Sequence, residues 1–145
     1  PNDLYVTGHS AGGHLALMTA MLLQEKNDPL LSSIKGVLSL SGLFDLDPVR
    51  NSFLNETLNF DDSTVTRLSP ILNEAFSTNI PLRFAVGGDE TDEFIRQSQT
   101  ISERMTANGN DSQYSLLSNL NHFDIVYELG KPDGVLKKQL LEMIR

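Results

Sequence analysis

Near the start of the chain, Gly8-His9-Ser10-Ala11-Gly12 places a serine between glycines at −2 and +2. This G-x-S-x-G spacing suits a nucleophile held on a sharp strand-to-helix turn, its hydroxyl projecting above the sheet. Glycine is expected at both flanks because side chains there would collide with the neighbouring strand or helix. Ala11 follows the serine, so its backbone N–H opens a helix and can donate to an oxyanion. A glycine-rich turn without chemistry would read the same in isolation, and the strand before it and the helix after it favour the nucleophile. A phosphate loop is excluded, since neither G-x-x-x-x-G-K-[ST] nor a nearby lysine is present.

A serine hydroxyl needs a general base, and the histidines are His9, His14 and His122. His9 lies inside the turn, where the backbone is expected to direct it away from the Ser10 hydroxyl. His14 falls on the helix, with a packing role. His122 follows the last expected strand in a short polar loop, at the sheet edge where such folds present catalytic groups. A carboxylate must then orient that imidazole. The segment "AVGGDETDEF" offers Asp89, Glu90, Asp92 and Glu93. Asp92 reads as a helix N-cap and Glu93 as a first-turn residue, which leaves Asp89 and Glu90. Asp45, in "LFDL", is an outside candidate.

The elements that must position these groups follow from local pattern. Residues 3 to 8 read as a short buried strand. Ala11 to about Lys26 reads as a helix buried on most sides, stopped by "NDP" at 27 to 29. Residues 34 to 42 form a second strand closed by Gly42. The stretch 43 to 80 is irregular, with short helices expected around 52 to 59 and 70 to 76. A third strand at 81 to 88 leads into a helix from Asp92 to Asn108, with Phe94, Ser98, Ile101 and Met105 on one face and Gly109 as C-cap. A fourth strand at 113 to 118, the "NLNHFD" loop, and helical segments at 123 to 129 and 133 to 144 complete the chain. Alternation of this kind implies a mostly parallel sheet with helices on both faces.

The 145 residues suffice for one domain, 1–145, with a real core. A net charge of −8 argues against a nucleic-acid or anionic-lipid surface. No apolar run approaches the roughly 20 residues needed to span a bilayer. The absence of cysteine excludes disulfides and thiolate chemistry, and fits a cytoplasmic setting. No signal peptide opens the chain, which begins at Pro1 directly before a strand, so an amino-terminal part is expected to be missing.

Five blocks, "GHSAGGHLA" (8 to 16), "LSGLFDLDPV" (40 to 49), "LSP" (68 to 70), "VGGDETDEFIRQS" (86 to 98) and "NHFDIVYEL" (121 to 129), together resemble the carboxyl-terminal half of an α/β-hydrolase. More narrowly they resemble the kynurenine formamidase (arylformamidase) and related esterase branch. "SGLFDL" and "EFIRQS" are the more selective blocks. The order serine, acid, histidine is the one such folds use. The resemblance implies an acid three residues after Gly87, which is Glu90, with Asp89 in reserve. It thus implies a catalytic set of Ser10, Glu90 and His122, with Ala11 as one oxyanion donor and an "HGG" loop upstream of Pro1.

The implied reaction is serine hydrolysis of a small acyl amide or ester, N-formylkynurenine above all, with a short-chain carboxylesterase as the alternative. Neither a cofactor nor a metal is called for. The partners expected are the small-molecule substrate and either a second copy of the chain or the missing amino-terminal half. An inactive fragment or a non-catalytic binding relative is the rival from another class.

Overall fold

A computed structural model describes residues 3–144. Four strands, β1 (Leu4–His9), β2 (Ile34–Leu40), β3 (Leu82–Gly87) and β4 (Ser112–Leu117), form one sheet in the order β1-β2-β3-β4. Every pairing is parallel. Tyr5 lies opposite Gly36, Val37 opposite Leu82, and Leu82 opposite Ser112, so the carboxyl ends of all four strands finish at one edge. The turns after each strand therefore share that edge.

Parallel neighbours need crossovers, which helices supply. α1 (Ala11–Glu25) joins β1 to β2 and packs on both. The long connection from β2 to β3 carries α2 (Asp47–Arg50), α3 (Asn55–Leu58), α4 (Asp62–Leu68) and a 3-10 turn at Pro70–Leu72. α5 (Asp92–Ala107) crosses from β3 to β4. α6 (Asp124–Tyr127) and α7 (Val135–Ile144) follow β4.

Alternation along the strands divides the apolar residues between two cores. Val37, Leu82 and Phe84 pack with Leu17, Met21, Ile101 and Met105 of α1 and α5. Leu38, Leu40, Ala85 and Leu117 face the other way, against Ile125, Leu136 and Met143 of α6 and α7. Both faces of the sheet are covered, as a two-layered apolar pattern in β2 and β3 requires.

Several expectations need correction. β1 is half-buried rather than buried, because it is an edge strand with a neighbour on one side. α1 leaves Leu15 and Leu22 exposed, so it is covered over less of its circumference than its composition suggests. In the 43–80 stretch, the helices expected at 52 to 59 and 70 to 76 are α3 and the Pro70–Leu72 turn, while α2 and α4 have no counterpart among the expected elements. The signal for α4 is present in "DDST": the Asp61 side chain accepts the Thr64 N–H at 2.7 Å. Hydrogen bonds from Thr64 and Ser63 lower the Asp61 carboxyl to a pKa of about 2.

α5 begins one residue earlier in its cap than expected. Thr91 occupies the N-cap position with extended backbone and Asp92 is already helical, its charge in the first turn with that of Glu93. Gly109 adopts the left-handed φ of +83° just past the helix, the conformation expected of its C-terminal glycine.

Candidate active site

Ser10 joins β1 to α1 with φ 56° and ψ −119°, a backbone region costly for any residue with a Cβ. Its N–H donates to Leu40 O at 2.9 Å and its carbonyl accepts from Gly13 and His14, so both sides of the turn are tied down. The turn is so tight that a Cβ on Gly8 would run into the Gly12 carbonyl. The expectation for Gly12 fails: a Cβ there meets nothing within 4 Å. The second crowded glycine is Gly13, whose Cβ would lie 2.5 Å from Ser39 Oγ and 2.9 Å from Gly42 Cα. Position 13, one residue later than the pattern suggests, is where α1 settles onto β2. Ala11 is the first residue of α1, where backbone N–H groups lack intrahelical acceptors.

At the same sheet edge, β3 runs into the acid-bearing turn. Glu90 folds back so that Oε1 accepts the Gly87 N–H at 2.8 Å. Its Oε2 meets Nδ1 of His122 at 2.6 Å, and the Glu90 side chain has no exposed surface. Asp89 is exposed, and its backbone N–H donates to Leu120 O at 3.0 Å, pinning the turn to the loop after β4. Asp45 is engaged elsewhere, accepting from Arg96 at 2.9 Å. Hydrogen bonds and charge from Glu93 and Asp45 raise the guanidinium pKa of Arg96, and Arg96 in turn lowers that of Glu93.

The loop carrying His122 is shaped by Asn119 in left-handed backbone and by Asn121, whose side-chain oxygen accepts the N–H groups of Phe123 and Asp124. The His122 ring lies 4.5 Å from the Phe94 ring and 5.6 Å from that of Phe123. With Nδ1 directed at a carboxylate, Nε2 is the nitrogen left for proton transfer.

His9, adjacent to the serine, reaches across the sheet edge to this loop. Its Nε2–H donates to the His122 carbonyl at 2.7 Å, and the two imidazole centroids are 4.4 Å apart. Burial, then the neighbouring His122, lowers the His9 pKa, which favours the neutral ring that this hydrogen bond uses. Through His9 the elbow after β1 and the loop after β4 become neighbours, although β2 and β3 lie between those strands. The sequence pattern directs His9 away from the serine and gives it no partner, because nothing local signals a contact 113 residues distant. His14 has the packing role expected, its Nε2 bonded to Leu68 O at 2.8 Å.

Ser41 is a site neighbour to which the sequence reading gives no role. It directly follows β2, is fully buried, and donates its hydroxyl to Glu90 Oε1 at 2.5 Å. Its signals in the sequence are its place at a strand's carboxyl end and at the head of the "SGLFDL" block. Farther out, buried Gln97 accepts the N–H groups of Phe44 and Asp45 and donates to Asp45 O and Glu93, holding the segment after β2 against α5. Among the described residues no group of three or more His, Asp or Glu is arranged to hold a metal ion, and no helix is long and apolar enough to cross a membrane.

Known proteins resemble this chain in sequence and in fold. The chain is 32% identical to a kynurenine formamidase of Danio rerio, over 99% of this chain and 50% of that protein. It is 31% identical to a kynurenine formamidase of Salmo salar, again over 99% of this chain and 50% of the other. The chain thus spans about half the length of these relatives. Among solved structures, a candidate thioesterase from a Silicibacter species superposes with a TM-score of 0.80 at 25% identity, covering 97% of this chain and 51% of that one. A family model described as alpha/beta hydrolase fold matches residues 1–125, and this match, together with the parallel sheet, the crossover helices and the serine elbow, places the chain in the α/β-hydrolase fold family.

Proposed function

We propose that this protein is a serine hydrolase of small acyl amides or esters, with N-formylkynurenine as its substrate. The observation that carries the reading is the pairing of the partly exposed His122 with the buried Glu90 carboxylate at 2.6 Å, in a loop that the His9 hydrogen bond ties to the strained Ser10 turn. Relatives named kynurenine formamidase support the choice of a formamide.

In this reading His122 Nε2 takes the Ser10 hydroxyl proton as Oγ attacks the formyl carbon. Glu90 holds the tautomer with Nε2 unprotonated and stabilises the imidazolium that forms. Negative charge moves to the carbonyl oxygen, where the Ala11 N–H donates at the helix N-terminus. The imidazolium then gives its proton to the leaving arylamine nitrogen as the C–N bond breaks. Water, deprotonated by His122, attacks the formyl-serine and releases formate, restoring Ser10. Every proton taken is returned and no atom changes oxidation state, so no redox partner is required.

Formate release from N-formylkynurenine should be abolished by Ser10→Ala, to below about one part in a thousand of the parent rate. Equal release by parent and variant would rule the mechanism out. A short-chain ester or thioester is the second reading, favoured by the likeness to the candidate thioesterase. A kcat/KM for p-nitrophenyl acetate above that for N-formylkynurenine would select it.

A further inference from the structure

Ser41 combines three features that packing alone does not require. It is fully buried, it holds a left-handed φ of 47° although it is not glycine, and its hydroxyl makes a 2.5 Å hydrogen bond to Glu90 Oε1. Left-handed backbone strains a serine. The Ser41 N–H donates to Ala85 O at 2.7 Å, which locks the residue to β3, the strand that leads into the acid turn.

The consequence lies in how the carboxylate is held. Oε1 receives two donors, the Ser41 hydroxyl and the Gly87 N–H, while Oε2 is left for His122 Nδ1. A glutamate has one more rotatable bond than an aspartate, so its carboxylate must be fixed at more than one point to present a single oxygen. The Gly87 N–H comes from the last residue of β3, the strand that leads into the glutamate's own turn. Ser41 stands just past β2 and ties the same oxygen to the neighbouring strand as well.

We propose that Ser41 is a positioning residue: its hydroxyl, aimed by the strained backbone after β2, fixes the Glu90 carboxylate so that the other oxygen faces His122. The proposal rests on the roles given to Glu90 and His122 above. Ser41 touches no reacting atom and acts through Glu90.

Two variants separate hydroxyl from backbone. Ser41→Ala removes the hydroxyl and keeps the strain, whereas Ser41→Gly removes both and so remains foldable. Proton NMR at low temperature reads the His122 Nδ1–H, identified by its loss in Glu90→Ala. In both Ser41 variants that resonance should broaden, its solvent exchange rising about tenfold or more. Labelling of Ser10 by a fluorophosphonate should slow by about tenfold in both, with no further slowing when either change is added to Glu90→Ala.

An unchanged resonance in the folded Ser41→Gly variant overturns the proposal. So does a parent protein without the resonance, or an equal slowing with and without Glu90. If the resonance responds as expected but the parent Ser10 takes no label, positioning stands and the hydrolase reading falls.

Discussion

At the scale of single residues, Ser10 shows stability and chemistry opposed. Its backbone at φ 56° costs about 1–3 kcal/mol for a residue with a side chain. Glycine would relieve that strain and lose only about 0.4–1 kcal/mol to greater freedom in the unfolded chain. Relief of strain outweighs that loss. Ser10→Gly should therefore raise unfolding stability by up to about 2.5 kcal/mol in denaturant melts, while fluorophosphonate labelling disappears. A destabilised variant would mean that the turn is held by more than its own conformation. His9 and Ser41 belong to the same scale, since each is legible only by the partner it reaches, His122 and Glu90 respectively.

At the scale of elements, the β1–α1 unit depends on how closely the helix approaches the sheet. Gly12 and Gly13 look interchangeable in "SAGGH", yet one faces open space and the other faces Ser39 and Gly42. Gly12→Ala should stabilise by about 0.5–1 kcal/mol, the helix preference of alanine over glycine. Gly13→Ala should cost about 1–3 kcal/mol through overpacking. Paired thermal or urea melts decide the matter, and equal effects at the two positions would contradict the close approach at position 13. The short helices between β2 and β3 were the least legible elements. Four-residue helices such as α2 and α3 lack a periodic face and are set by what they rest on.

At the scale of the whole molecule, long-range polar ties hold the segment after β2 in place. Gln97 is buried on α5 and makes four hydrogen bonds, three of them to the Phe44–Asp45 backbone. Replacement by leucine keeps the volume but strands two backbone N–H groups, at about 1–3 kcal/mol each when buried. Gln97→Leu should lose about 2–4 kcal/mol in urea unfolding. Gln99→Leu, on the exposed side of the same helix, should stay within about 0.5 kcal/mol. Equal losses at the two positions would show that the tie is not what holds this segment.

Sequence alone determined the strand–helix order, the parallel sheet with helices on both faces, and the serine elbow, because each depends on local period, turn chemistry and spacing. It narrowed the acid to Asp89 or Glu90, and resemblance then favoured Glu90. Tertiary structure decided which carboxylate meets His122, that His9 bridges two loops, that Ser41 stands behind the acid, and that Gly13 rather than Gly12 is the crowded glycine. The physical reason is common to all four. Each is a contact across the carboxyl edge of the sheet between residues distant in the chain, or between a helix and a neighbouring strand. Such distances are set by strand order and register, which no short stretch of sequence encodes.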